Sequence, residues 1–166
     1  MTRPQGFMDL CTFRKSLRLT HDLKVKEIWL HNWGEPLLHP KLTKFIRYGS
    51  RNFKVGFATN GTLLTFDKIR EFKQNGLTYL DISLNMESQK FNLIHLVSMY
   101  QIANEIGLDC RFRTVVNNNA EYNYLNSMFK SFKIRWQRQM IRNNKEVRNS
   151  PCEAKKKVMI ILWDGV

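Results

Sequence analysis

Apolar and polar positions fall into two periods along this chain. Phe7 to Leu23 carries Phe7, Leu10, Cys11, Phe13, Leu17 and Leu19 at helical spacing, with Arg14, Lys15 and Arg18 interleaved, and predicts a helix. Residues 25–31 form an apolar run that predicts the first clear strand. It stops on Gly34-Glu35-Pro36, and the chain restarts over 41–51 as an amphipathic helix. Leu42, Phe45, Ile46 and Tyr48 face inward there, and Pro40 suits the first helical position. Residues 53–59, 77–84 and 109–116 predict three further strands, and 66–74, 91–106 and 121–132 three further helices. Strand alternates with helix four times, through short connections punctuated by Gly or Asn. That grammar predicts an α/β chain with a parallel sheet and right-handed crossovers. Spacing alone fits an open doubly wound sheet and a barrel or partial barrel equally. In both, the chemistry sits at the C-terminal ends of the strands.

After Phe132 the pattern breaks. Residues 134–140 suit a short strand, 142–157 are polar and irregular, and 158–163 are continuously apolar. Asp164-Gly165 then gives a hairpin-type turn with no returning strand, so the run reads as the start of something longer.

Composition narrows the class. At 166 residues, 43% apolar and 12% aromatic, the chain fits one globular domain. No apolar run approaches the roughly 18 residues of a membrane span. Met1 to Asp9 lacks the apolar centre of a signal peptide, so a cytoplasmic protein is expected. Three cysteines, Cys11, Cys110 and Cys152, lie far apart, which excludes a disulfide framework and fits a reducing compartment. The net charge is +13, and residues 130–157 carry ten Lys or Arg against Glu146 and Glu153, a net of +8. Such a segment attracts nucleic acid, an acidic peptide or a membrane surface, although a solvated basic stretch is the plainer reading. With Phe132 and Trp136 beside its cations, it also suits a non-catalytic module whose basic tail grips nucleic acid, the second choice of function.

The four strand ends form a more informative set. The first offers Trp33-Gly34-Glu35-Pro36, the second Thr59-Asn60-Gly61, the third Ser83 and Asn85, the fourth Arg113, Thr114 and 117–119. Together they supply an anion, a cation, hydroxyls and amides, which suits a zwitterionic ligand carrying a ribose. Each has a plain alternative. Asn60-Gly61 is a common turn, Ser83 can bond to backbone, and Arg111 competes with Arg113 from the same face. Glu35, between Gly and Pro, serves no evident helix or packing purpose and reads as a ligand group.

Gly34-Glu35-Pro36-Leu37-Leu38-His39-Pro40 resembles the Gly-Glu-Pro motif of radical S-adenosylmethionine (radical SAM) enzymes. The order that follows is similar too: Ala58-Thr59-Asn60-Gly61-Thr62-Leu63-Leu64, then Asp81-Ile82-Ser83-Leu84-Asn85, then Arg113-Thr114-Val115-Val116. Met1 to Asp9 looks like the segment just after the cluster-binding loop. Pro151-Cys152 and 160–166 resemble the start of a SPASM extension, which carries auxiliary iron–sulfur clusters. The resemblance runs over nearly the whole chain. It implies a partial (β/α)6 barrel with a parallel sheet, missing the first strand. Residues 1–132 would be an incomplete radical SAM core, and 133–166 a linker and the start of a truncated SPASM-like extension.

The same resemblance implies roles. Trp33, Gly34, Glu35 and Pro36 would receive the methionyl ammonium of SAM, and Asn60 would shape the floor of the site. Ser83 and Asn85 would contact its ribose or carboxylate, Arg113 its carboxylate, and Cys152 would be the first ligand of an auxiliary cluster. In the family, a thiolate-held [4Fe-4S] cluster reduces SAM to methionine and a 5′-deoxyadenosyl radical, which abstracts hydrogen from a substrate, here one such as a peptide. The chain also departs from the family. It has no CxxxCxxC loop, Cys11 stands alone on a predicted helix, the later SPASM cysteines are absent, and 86–90 is short and without arginine. The chain therefore reads either as a piece of a longer enzyme, the favoured expectation, or as a degenerate relative without radical chemistry; either way it is expected to be unable by itself to assemble the catalytic cluster, with a sheet edge exposed where a first strand would pair.

Overall fold

The computed structural model describes residues 6–23, 25–31, 34–84, 93–116 and 119–138, and the side chains of these except 21–22, 115–116, 119–121 and 135–138. Helix α1 (Leu10–Asp22) opens the chain, followed by strand β1 (Glu27–Trp29), a 3-10 turn (Pro36–Leu38) and helix α2 (Leu42–Gly49). Then come β2 (Lys54–Thr59), α3 (Phe66–Gln74), β3 (Leu77–Leu84), α4 (Leu93–Glu105), β4 (Asp109–Val116), α5 (Asn119–Met128) and β5 (Ile134–Arg138). The five strands form one sheet in the order β1-β2-β3-β4-β5, and every pairing is parallel. The βαβ expectation is thus met, with β1 and β5 at the two edges.

Local chemistry sets the helix ends. Asp9 Oδ1 accepts from the Thr12 N–H at 2.6 Å and caps α1; that bond holds the Asp9 carboxyl below its ordinary range. Thr65 caps α3 by accepting from the Lys68 N–H. Pro40 does not start α2, as the sequence suggested. Lys41 is the N-cap of that helix, and it is Pro36 that takes the first position of a helical turn, the 3-10 turn that follows Glu35.

Period-two alternation divides the sheet into two faces. Val55, Phe57, Leu80, Ile82, Leu84, Cys110 and Phe112 point to the helices and pack with Ile46, Ile69, Phe72, Leu96, Ala103 and Leu125 in one core. Each buried Phe, Leu or Ile contributes about 1.5–3 kcal/mol. Tyr100, Phe112, Phe129 and Phe132 extend that core under β4, their rings 4.8–5.6 Å apart. Burial pushes the Cys110 thiol up to about 12, and the nearby Asp81 and Asp109 carboxylates add to the effect. Helix α1 lies outside this layer, its Phe13 ring stacked 4.3 Å from Phe45 of α2. No described helix is long and apolar enough to cross a membrane.

Candidate functional site

The alternate positions make the second face of the sheet polar: Trp29 within β1 and His31 after it, Ala58 on β2, Tyr79, Asp81 and Ser83 on β3, Arg111 and Arg113 on β4. Gly56 is the gap in this row. A Cβ there would come within 3.0 Å of Tyr79 Cβ and 3.1 Å of the Trp29 ring. With glycine in place, Trp29 and Tyr79 stack across β2 at 5.8 Å, and the Arg111 guanidinium sits 5.5 Å from the Tyr79 centroid. Arg111 also pairs with the fully buried Asp81 at 3.3 Å. That resolves the competition between the two arginines: Arg111 is committed to the interior, and Arg113 stands one pleat closer to the C-terminal edge, in register with Ser83.

At that edge, β1 ends sooner than the apolar run from Val25 to His31 suggests, and side chains continue its work. Among the described residues, the last backbone bond of the ladder is Leu30 N–H to Gly56 C=O at 2.8 Å. The next donor on β2, Ala58 N–H, goes to His31 Nδ1 at 3.1 Å. The one after that, Asn60 N–H, goes to Glu35 Oε2 at 2.8 Å. Two side chains therefore satisfy backbone donors of β2 that would otherwise be left open.

Glu35 does more than the sequence suggested. Its Oε1 accepts from Leu37 N–H at 3.0 Å, capping the 3-10 turn, and from the Thr59 hydroxyl at 2.6 Å. Thr59 Oγ1 in turn accepts from Gly61 N–H at 3.0 Å. The expectation that this carboxylate lacked a helical or packing purpose is corrected: its partners lie 24 and 25 residues away, out of reach of local sequence reasoning. A carboxylate offers about four lone-pair directions; three are used, and one on Oε2 remains for a cation. Gly34 precedes it at φ +110 with open space around it, so the backbone conformation rather than crowding calls for glycine. His39 closes the same motif. Its Nδ1 accepts from Lys41 N–H, and its Nε2–H donates to the Met8 carbonyl at 2.9 Å, fixing the N-terminal segment beside the turn.

The structure brings Gly34, Glu35, Pro36, Asn60, Ser83 and Arg113 to the C-terminal edge of the sheet. Asn60 also builds its own turn, its Oδ1 accepting from Thr62 N–H and Oγ1–H. Trp33, Asn85 and Cys152 lie outside the described residues. Sequence reasoning missed His31, which Arg113 reaches across the sheet, Nη1 to Nε2 at 3.2 Å. Its signal was present, since Ile28 and Leu30 face the core and the intervening Trp29 and His31 must then face the site. A shallow basin of about 600 Å³ lined by Val25, Lys26, Ser50, Asn52, Lys54 and Thr78 lies at the opposite, N-terminal edge and offers no carboxylate or histidine.

Among the described residues iron–sulfur ligation finds no fit. Among the described residues no three His, Cys, Asp or Glu side chains converge, and the two described thiols are an exposed Cys11 on α1 and a buried Cys110 on β4.

No family model matches the sequence. The chain is 31% identical over 94 residues to the tungsten-containing aldehyde ferredoxin oxidoreductase cofactor-modifying protein of Pyrococcus furiosus, a match that covers 55% of this chain and 26% of that protein. The chain thus spans about a quarter of that relative's length. In three dimensions it is similar to SuiB of Streptococcus suis bound to S-adenosylmethionine, with a TM-score of 0.59 and 11% identity, over 82% of this chain and 43% of that one. It is also similar to BtrN in complex with AdoMet and 2-DOIA, with a TM-score of 0.52 and 16% identity, over 82% and 46%. At such identities the likeness is one of fold, and the fold is that of two structures solved with SAM bound.

Proposed function

We propose that this chain is the SAM-binding part of a longer, cytoplasmic radical SAM enzyme with a SPASM-type extension, acting on a substrate such as a peptide. The observation that carries the reading is Glu35. Three hydrogen bonds fix its carboxylate at the C-terminal edge of a parallel sheet, and one acceptor direction is left for an ammonium group. Trp33, Gly34 and Pro36 complete that wall, Ser83 and Asn85 serve the ribose or carboxylate, and Arg113 serves the carboxylate. When bound, SAM would supply, on one-electron reduction by the enzyme's iron–sulfur cluster, a 5′-deoxyadenosyl radical for hydrogen abstraction, with methionine released. The residues of this chain bind and orient SAM, and Cys11, Cys110 and Cys152 lie too far apart in sequence to form the CxxxCxxC loop of the catalytic cluster. In this reading the cluster ligands belong to the rest of the enzyme, and Cys152 to an auxiliary cluster.

The test is binding without turnover. SAM at a hundred times its Kd should raise the unfolding free energy of the chain by about 2.7 kcal/mol. Glu35→Ala should abolish the SAM-dependent part of that gain beyond its own effect on stability. A chain whose melting is indifferent to millimolar SAM overturns the reading.

A further inference from the structure

Cations gather on the first two helices with no acid among them. Residues 10–21 carry Arg14, Lys15 and Arg18, and residues 41–54 carry Lys41, Lys44, Arg47, Arg51 and Lys54. Neither stretch contains an Asp or Glu. All eight side chains are exposed, and none forms an ion pair among the described residues. Helix packing joins the two sets. Phe13 stacks on Phe45 at 4.3 Å, which sets α1 against α2. The Tyr48 ring of α2 then takes two guanidiniums, Arg14 at 4.8 Å and Arg51 at 4.9 Å from its centroid. Two like charges from separate elements are thus held at one ring. Arg18 follows Arg14 one turn along α1, and Arg47 follows Lys44 along α2. Past Arg51 the chain enters the basin at the N-terminal edge of the sheet, where Ser50, Asn52, Lys26 and Lys54 line about 600 Å³.

We propose that this face docks an acidic segment of a partner protein, with carboxylates on the α1–α2 cations and one side chain in the basin. Charge complementarity calls for an anionic partner. The details favour a protein over other polyanions. A membrane surface is flat and makes no use of a concave basin. Single-stranded nucleic acid stacks its bases on aromatic rings; here Tyr48 is engaged by two guanidiniums and Phe53 is buried. Leu19 and Leu23 are 56% and 63% exposed in the same i,i+4 row as Lys15, and offer apolar contacts that a phosphate backbone cannot use. A second copy of this chain, at +13, is repelled. The inference does not depend on what binds at Glu35.

The experiment titrates the full chain with a labelled glutamate-rich peptide, an oligothymidylate, and vesicles of phosphatidylserine and phosphatidylcholine in equal parts. The peptide should bind most tightly, and its binding should weaken as salt rises. Arg14→Gln, Arg18→Gln, Arg47→Gln and Arg51→Gln combined should weaken it about tenfold. The same loss of charge elsewhere, through Arg138→Gln, Lys155→Gln, Lys156→Gln and Lys157→Gln, should leave it within about twofold of wild type. Tyr48→Leu keeps the charge and removes the ring that gathers Arg14 and Arg51, and should cost about threefold. Unchanged far-ultraviolet circular dichroism separates lost binding from lost fold in the two glutamine variants, which alter only exposed cations or the basic tail. If those two variants weaken the peptide equally, net charge is responsible and the docking face is wrong. Oligothymidylate or vesicles binding as tightly as the peptide would overturn the choice of partner. A peptide that does not bind at low salt sinks the proposal outright.

Discussion

Glu35 accepts a 2.6 Å hydrogen bond from the Thr59 hydroxyl, joining the turn after β1 to the end of β2 across 24 residues. The same carboxylate caps the 3-10 turn and takes the Asn60 N–H. Hydrogen bonds to a charged acceptor contribute roughly 1.5–3 kcal/mol each when removal leaves a partner unsatisfied. Three of them on a half-buried group make Glu35→Ala destabilising by about 2–4 kcal/mol in urea unfolding. Thr59→Val should cost about 1 kcal/mol, and the double variant less than the sum, because both remove one shared bond. A purely ligand-binding Glu35 would leave the unfolding midpoint unmoved.

Gly56→Ala tests the stack above β2. The new methyl must push on Tyr79 Cβ and the Trp29 ring, both within about 3 Å. Overpacking of this kind costs roughly 1–3 kcal/mol. The near-ultraviolet circular dichroism of the Trp29–Tyr79 pair should fall at the same time, while far-ultraviolet signal is kept.

The thiols separate by reactivity. Cys11 is exposed on α1, and Cys110 is buried with its thiol raised to about 12. Only the thiolate attacks an alkylating reagent. Mass mapping after brief iodoacetamide treatment at pH 8 should find Cys11 modified and Cys110 untouched until denaturant is added. The same group makes stability fall in alkali. Above pH 9 the unfolded chain loses the Cys110 proton while the folded chain keeps it, so this contribution is complete below about 9 and disappears towards 12.

Acid acts at the other end. The Asp9 carboxyl is held below its ordinary value of 3.8 by its bond to Thr12, so its capping contribution is present above that pH and is lost as pH falls through the lowered value. Asp9→Ala should loosen the first turn of α1 at neutral pH and quicken tryptic cleavage at Arg14 and Lys15 relative to sites in α3.

Much of this was legible in the sequence, and its limits are physical. Period-two alternation in 77–84 and 109–116 located β3 and β4 to the residue, because each buries one face against helices. The same alternation contained His31, but a histidine at a strand end has no local mark that distinguishes a site residue from a ladder substitute. The Glu35 bonds were hidden for a different reason. Their partners are Thr59 and Asn60, and no local rule spans 24 residues. Pro40 misled because Pro36, four residues earlier, already occupies the start of a helical turn.

Gly56 also sets where the aromatic packing of this face lies relative to the strand ends. Trp29 and Tyr79 meet over it with Arg111 alongside. From Gly56 to Asn60 at the lip is four residues of β2, about 13 Å. A ligand held beside Glu35 and Asn60 therefore lies that far along β2 from the Trp29–Tyr79 stack, whose aromatic surface is spent on the sheet's own packing.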